Sequence, residues 1–213
     1  MRIPDRGAAG RLLAHAVSRH DFDDPVVIGL GSGGLAVGAE VARALGCPLD
    51  IIDVEELGAG DPLHPNRVFG AVSGGGHLLI RPETLDRITR GAQALKQAVE
   101  RARRSSGDGH HRAGGRGGTV PTGWRTVILI DDATSSRDTV AAAVDLVRAG
   151  RPARVVLAVP SAPRESLDEL ERLVGEVIAG SVVPWTEWFR WHGRPYEDDS
   201  VPDPEQVEVL LHS

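Results

Sequence analysis

Cysteine and aromatic residues are scarce in this chain. Of its 213 residues one is cysteine, Cys47, and aromatic residues make up only 4% of the total. A lone thiol excludes a disulfide within the chain and is typical of a reducing compartment, so we expect a cytoplasmic protein. Cys47 has no histidine near it in the sequence, which favours a structural thiol over a nucleophile.

Long apolar runs and an excess of basic residues are also missing. Residues 1–6 contain no apolar core of a signal peptide, and no apolar run approaches the length of a membrane span. The net charge of −6 lacks the positive face on which nucleic-acid binding depends. We therefore expect neither a membrane nor a nucleic acid as partner. With 41% hydrophobic residues, residues 1–213 are predicted to form a single globular domain with a full core.

Short apolar runs bounded by glycine or proline alternate with stretches of helical periodicity. The predicted strands cover residues 26–30, 48–54, 69–72, 77–80, 127–130, 153–159 and 176–179, of which the third and fourth form a hairpin. The predicted helices cover residues 7–20, 35–45, 82–104, 137–149 and 165–174, and an irregular tail closes the chain. This alternation predicts an α/β fold with a doubly wound, mostly parallel sheet. Residues 105–120, rich in glycine and arginine, are predicted to form a flexible loop inside the domain.

The segment 127–140 carries the strongest chemical pattern. Four apolar residues lead into Asp131 and Asp132, and a short polar stretch and an amphipathic helix follow. In open α/β sheets, ligands bind where the carboxyl end of a strand leads into a helix. Two carboxylates at such an end can hold ribose hydroxyls or a magnesium ion, and the loop amides behind them can receive a phosphate.

This segment resembles the phosphoribosyl pyrophosphate (PRPP) motif of type I phosphoribosyltransferases. The motif of that family has four apolar residues, two acids, three variable positions and then Thr-Gly-Gly-Thr or a close variant. Here the last quartet is Ser-Arg-Asp-Thr, at residues 136–139. Resemblance to a bacterial subgroup of the family extends through residues 29–58, 70–72, 155–160 and 196–198, and covers most of the chain except the glycine- and arginine-rich loop. It implies the type I α/β fold with a small hood.

The resemblance also implies an enzyme and its site. Pyrophosphate contacts fall on Ser32, Gly33 and Gly34, while Asp131 and Asp132 form the catalytic pair at the ribose or magnesium site. Contacts with the 5′-phosphate fall on the loop and helix start that follow, at Thr134, Ser135, Ser136, Arg137, Asp138 and Thr139. Magnesium is the implied cofactor, and a phosphorylated sugar or a nucleotide-like small molecule is the implied ligand. A homodimer is the usual assembly for such a fold.

The chain departs from the subgroup at its basic positions. Ser32 stands where an arginine is common, and Glu55 and Glu56 stand where an Arg-Lys pair is common. The predicted pyrophosphate site is thereby more negative by about five charges, and each like-charge contact near about 4 Å costs roughly 1–4 kcal/mol. Two interpretations of Glu55 and Glu56 remain: they are candidates for positions beside a metal, or they form a solvated strand end.

The predicted phosphate loop has lost its glycines. Glycine allows positive φ and a close approach of the backbone to a phosphate, whereas Arg137 and Asp138 resist both. Arg137 can clamp an anion through two hydrogen bonds, while Asp138 adds a negative charge that also suits a helix amino terminus. The loop therefore either still binds a phosphate or has become an ordinary helix start capped by Ser135 or Ser136. Ser135 also occupies the position of the acid common in the purine-salvage branch, which argues against a purine substrate.

Two further clusters have more than one interpretation. His110 and His111 lie in the predicted flexible loop, where a metal site lacks further ligands, so a mobile hood segment or a plain insert fits better. The aromatic residues between positions 185 and 191 can stack a base, line a dimer contact or pack on the core, and we expect packing on the core.

Two functions are compatible with this sequence. The first is a phosphoribosyltransferase-like enzyme that acts on a ribose-5-phosphate-type or nucleotide-like substrate, which the intact Asp131 and Asp132 favour. The second is a catalytically inactive homologue that serves as a ligand-binding or regulatory protein, which the loss of basic residues favours. Fold alone does not separate these two functions.

Overall fold

The computed structural model describes residues 2–58, 68–73, 78–80, 96, 100, 120–133, 137–191 and 195–212. The helix predicted at residues 82–104 and the loop predicted at residues 105–120 lie outside this part of the chain, apart from the helical Lys96 and Glu100 and from Val120.

The centre of the fold is a five-stranded, all-parallel sheet, which confirms the predicted α/β class. Two strands come from the first part of the chain, β1 (Pro25–Leu30) and β2 (Leu49–Ile52). Three more strands, numbered by their place in the chain, are β6 (Thr126–Ile130), β7 (Arg154–Pro163) and β8 (Val177–Val183). Their spatial order is β2-β1-β6-β7-β8, so all carboxyl ends lie at one edge.

Helices cover both faces of this sheet. On one face lie α1 (Arg6–Val17) and α2 (Gly31–Leu45), and on the other lie α3 (Arg137–Ala149) and α4 (Arg164–Val174). Strand β6 serves both cores by alternation, because residues 128 and 130 join the α1/α2 core while residues 127 and 129 join the α3/α4 core.

A second sheet of three antiparallel strands corresponds to the predicted hood. It consists of β3 (Val54–Gly58), β4 (Val68–Ser73) and β5 (Leu78–Ile80), and it packs near α3. The predicted hairpin is therefore confirmed. The single strand predicted at residues 48–54 is wrong, because β2 ends at Ile52 and the chain passes through Asp53 into the other sheet.

Other boundaries also differ from the sequence predictions, and helix α1 ends at Val17, three residues before its predicted end. Helix α2 begins at Gly31 instead of residue 35, so the glycine-rich stretch forms the first turn of the helix. Strands β7 and β8 continue past their predicted ends because they pair with each other as far as Pro163 and Val183.

The tail also differs, since it contains α5 (Trp185–Arg190) and α6 (Pro204–Leu211) and is not irregular. Asp203 and Gln206 cap α6 reciprocally.

Candidate functional site

The acid pair lies at the carboxyl edge of the sheet, beside the start of α2. Strand β6 ends at Ile130, and the next residues, Asp131 and Asp132, are only 4% and 3% exposed. Its neighbour β1 ends at Leu30 in the same register, and α2 follows directly. The parallel pairing of β1 and β6 thus brings two regions that the sequence predicts as ligand contacts, Ser32 to Gly34 and Asp131 with Asp132, to one point.

The glycines at the start of α2 are explained by close packing. A Cβ atom on Gly33 would overlap the Asp132 Oδ2 atom, and one on Gly34 would lie 2.5 Å from the Ile130 carbonyl oxygen. Gly31 has a φ of +64°, which lets the chain turn from β1 into the helix. These glycines are therefore needed to seat α2 on β6, whatever ligand binds there. Ser32, in the same turn, is partly exposed.

Arg6 is the site residue that sequence reasoning missed. Its Nε and Nη2 atoms lie 2.8 Å and 2.7 Å from the Asp132 Oδ2 atom, and the two side chains are only 6% and 5% exposed. The two residues are 126 positions apart, so no local motif joins them. A signal was nevertheless present, because Arg6 falls in register with the buried positions Ala9, Leu13 and Val17 of α1. An arginine in an apolar helical stripe requires a buried partner.

A segment beyond β8 completes the surroundings of Arg6. The Tyr196 ring lies 4.6 Å from the guanidinium carbon, and the Tyr196 hydroxyl donates a 2.8 Å hydrogen bond to the Asp132 carbonyl oxygen. Arg6 Nη1 donates to the Ser200 carbonyl oxygen at 2.8 Å, and Nη2 lies 3.2 Å from an Asp199 carboxylate oxygen. We call Arg6, Asp132 and Tyr196 the Arg6 cluster.

Backbone pairing holds this segment in place. Ile3 and Tyr196 form a parallel bridge, with Ile3 N–H donating to the Pro195 carbonyl and Glu197 N–H donating to the Ile3 carbonyl. Burial, and next the negative charge of Asp132, raise the pKa of the Tyr196 hydroxyl well above its ordinary value. The hydroxyl therefore stays protonated and keeps donating to Asp132.

The other predicted site residues are only partly placed. Thr134, Ser135 and Ser136 lie outside the described residues. Arg137 is exposed at the start of α3, and Thr139, further along the same helix, is partly exposed. Ala133, directly after the acid pair, has a φ of +71°, which is uncommon for a residue other than glycine. Whether the loop receives a phosphate stays a prediction.

Glu55, Glu56 and Asp138 are described only by their backbones. Glu55 pairs with Val72 and Glu56 with Ala71 in the antiparallel sheet, and Asp138 belongs to the first turn of α3. Their predicted roles stay predictions. His110 and His111 lie outside the described residues.

The described residues contain no group of three or more His, Cys, Asp or Glu side chains that could hold a metal ion by themselves. In the same part of the chain, every helix is too short or too polar to cross a membrane. The expected packing of the aromatic residues near the tail is wrong for Trp185 and Phe189, which are 51% and 73% exposed.

Cys47 lines a cavity of about 540 Å³ between the end of α2, the start of β2 and α6. Burial raises the pKa of its thiol above the ordinary value. The cavity lies at the amino end of β2, whereas the acid pair lies at the carboxyl edge of the sheet. The structural role of Cys47 stays a prediction.

The fold and the buried strand-end acids define an open α/β protein whose ligand edge is the carboxyl edge of its parallel sheet. No protein-family model matches the chain. Two Mycobacterium tuberculosis proteins, from strains CDC 1551 and H37Rv, both named "Putative phosphoribosyl transferase", are 33% identical to it over 179 residues. The match covers 82% of this chain but 39% of the relatives, so the chain spans well under half of their length.

A solved structure matches nearly the whole chain. The crystal structure of the protein TT1426 from Thermus thermophilus is 34% identical, with a TM-score of 0.81 over 99% of this chain and 98% of that one. The names of the curated relatives, together with this match and the parallel-sheet architecture, show that the chain belongs to the phosphoribosyltransferase family.

Proposed function

We propose that this protein is a phosphoribosyltransferase-like enzyme that acts on a ribose-5-phosphate-type or nucleotide-like substrate. The observation that carries the proposal is the packing of Gly33, in the first turn of α2, directly against the carboxylate of Asp132. Helix amino termini attract anions, and strand-end carboxylates suit hydroxyls and hard cations. A ligand with a phosphate, a ribose and a polar leaving group needs both kinds of contact within a few ångströms.

The proposed mechanism relies on positioning and electrostatics. Leu30 gives α2 no side-chain cap, which favours the amides of its first turn, at Ser32 to Gly34, as contacts for the leaving pyrophosphate. The buried carboxylates of Asp131 and Asp132 would stabilise the positive charge that develops on the ribose as the bond between its anomeric carbon and the pyrophosphate breaks. Arg137, which is exposed at the start of α3, is the candidate cation for the 5′-phosphate.

Magnesium belongs to this proposal. The carboxylate of Asp131, which lies directly after the end of β6, is the candidate ligand at the strand end. Magnesium is typically held by one or two carboxylates together with substrate phosphates, so a single strand-end carboxylate fits it and a closed protein cage is unnecessary. The ion, when bound, would neutralise charge on the leaving group.

Arg6 makes the site less negative than the sequence alone predicts. The loss of basic residues at Ser32, Glu55 and Glu56 predicts a site hostile to pyrophosphate. Arg6 supplies a buried positive charge that touches the second acid of the pair, so the strand end is less negative than its two aspartates indicate. This charge favours an anionic ligand over a neutral one.

A second candidate is the inactive homologue that binds a ligand or regulates a partner. The buried ion pair favours it, because an Asp132 carboxylate held by Arg6 has a structural use that would preserve it without catalysis. The same candidate accounts for the missing loop glycines. We further propose, from the family, a homodimer in the cytoplasm that takes a small phosphorylated ligand and no nucleic acid.

Titration calorimetry of PRPP into the protein, with and without magnesium, tests the proposed function. We expect magnesium-dependent binding in the micromolar range, followed by turnover with an acceptor base or amine. The Asp131→Ala/Asp132→Ala variant should lose turnover. Binding without any turnover across an acceptor screen would favour the inactive homologue, and absence of PRPP binding would contradict the proposal.

A further inference from the structure

We propose that Arg6 is a positioning residue for this site, acting through Asp132, and that the two acids of the pair therefore have different roles. Asp132 is the acid that Arg6 holds, and Asp131 is the acid that contacts the ribose or the cation. This inference rests on the proposed function, because it assigns roles within that same site.

The contacts of Arg6 are those of a group that fixes its partner. Two N–H groups of one guanidinium point at a single oxygen, Asp132 Oδ2, at 2.8 Å and 2.7 Å. The remaining terminal nitrogen, Nη1, donates to the Ser200 carbonyl oxygen. The planar fork thus satisfies a carboxylate and a backbone carbonyl at once, which a lysine ammonium on a flexible stem does less well.

The direction of each acid follows from the alternation along β6. Residues 128 and 130 point into the α1/α2 core, and Asp132 continues that set and meets Arg6 of α1. Residues 127 and 129 point into the α3/α4 core, and Asp131 falls into that second set. The adjacent acids therefore leave the strand end toward opposite faces, so one partner cannot hold both.

The main chain of Asp132 is fixed as well as its side chain. The Tyr196 hydroxyl donates to the Asp132 carbonyl, and the next residue, Ala133, takes a positive φ. The Arg6 cluster thus sets the direction in which the chain leaves β6 toward the predicted phosphate loop. On its other side the cluster touches α2, because a Cβ on Gly33 would lie 3.1 Å from Arg6 Nε. Arg6 therefore lies against both the first turn of α2, where the pyrophosphate contacts are predicted, and Asp132 of the acid pair.

The test compares PRPP affinity among variants well below their melting temperatures, in the presence of magnesium. We expect Arg6→Met to weaken PRPP binding at least tenfold and Arg6→Lys to recover part of that loss. Arg11→Met is the matched control, because Arg11 lies on the same helix with a side chain that is 65% exposed. It should leave the affinity unchanged.

A double-mutant cycle separates positioning from a general loss of stability. If Arg6 acts through Asp132, Arg6→Met in an Asp132→Asn background should change PRPP affinity less than threefold. This double variant also removes both charges of the buried pair, so it keeps the test open if Arg6→Met alone does not fold. The inference would be overturned if the Arg6→Met variant had a lower melting temperature but bound PRPP like the wild type. It would also be overturned if the losses of PRPP affinity caused by Arg6→Met and by Asp132→Asn simply multiplied in the double variant.

Hydrogen exchange decides the inference even if the wild-type protein binds no PRPP and the proposed function fails. Arg6→Met should then speed amide exchange of Asp131, whose N–H donates to the Ala158 carbonyl oxygen, at least tenfold relative to Val156 and Leu157, which lie inside β7. Equal protection of the Asp131 amide in the two proteins would refute the positioning role by itself.

Discussion

Gly33 shows at the scale of one residue why the start of α2 tolerates no side chain. A Cβ there would overlap Asp132 Oδ2 and crowd Arg6 Nε at 3.1 Å, inside a buried ion pair that cannot yield freely. We expect Gly33→Ala to destabilise the protein by about 1–3 kcal/mol, the usual effect of overpacking, as measured by urea unfolding.

Gly7→Ala is the control for this prediction. Gly7 lies in α1, where a Cβ would meet only the ends of the Asp5 and Arg11 side chains at 3.3 Å and 3.4 Å. Alanine is favoured over glycine inside helices by about 1 kcal/mol, so Gly7→Ala should leave stability unchanged or raise it. A Gly33→Ala midpoint equal to that of the wild type would show that α2 can shift away from β6.

Cys47 yields a prediction about reactivity. Burial raises the pKa of its thiol, so at pH 8 a smaller fraction is thiolate than in free cysteine, and the thiolate is the species that reacts. Alkylation by iodoacetamide should be slower than that of glutathione by about threefold or more, and should accelerate as pH rises. A rate equal to or above that of glutathione would contradict the structural role.

Arg6 also shows which site residues can be predicted from the sequence and which cannot. The Asp131 and Asp132 pair was found from its strand and loop context, since every group involved lies within about a dozen positions. Arg6 and Tyr196 were not, because their partner Asp132 lies 126 and 64 positions away. The helical register of Arg6 with buried residues was the available signal, although it does not identify the partner.

At the scale of secondary-structure elements, we predict that the charge of strand β3 affects PRPP affinity. Glu55 and Glu56 lie on this strand, and their two negative charges are the ones that the sequence resemblance predicts to weaken pyrophosphate binding. Replacing them as Glu55→Arg/Glu56→Lys changes the local charge by four units, and we expect PRPP affinity to rise about tenfold or more at an ionic strength of about 0.15 M, where the Debye length is about 8 Å.

The matched control makes the same change on α4, as Glu169→Arg/Glu171→Lys, where both positions are exposed. It should leave PRPP affinity within about twofold of the wild type, since exposed charges beyond a Debye length are screened. Equal gains in the two variants would mean that net charge, not the position of β3, controls binding.

Element boundaries were predictable where periodicity was unbroken. Helix α3 was predicted at residues 137–149 and spans Arg137–Ala149, because Val140, Val144 and Val147 mark a clear buried stripe. The predicted start of helix α2 is four residues too late, because a run of glycines indicates a loop when only the sequence is considered. In the fold the same glycines allow the helix to pack closely on β6. The change of sheet at Asp53 was missed for a similar reason, because one apolar run feeds two sheets.

At the scale of the whole molecule, the parallel architecture was predictable because β-strand and helix signals alternate and short buried strands read as apolar runs. The site was predictable only in part. Its acids lie on one strand end, but the groups that hold them come from α1 and from the segment after β8, which only the tertiary fold brings together. Assembly as a homodimer stays a prediction, which sedimentation velocity at micromolar concentration would test.

The span of the Arg6 cluster has a consequence for the timing of folding. Ser200 lies 194 residues after Arg6, and contacts that close such long loops form late, after local helices and neighbouring strands. Arg6→Met should therefore speed unfolding several-fold in stopped-flow measurements while leaving the refolding rate nearly unchanged. The contacts that hold Asp132 would then be among the last to assemble and the first to separate, so the acid pair loses its geometry before the sheet unfolds.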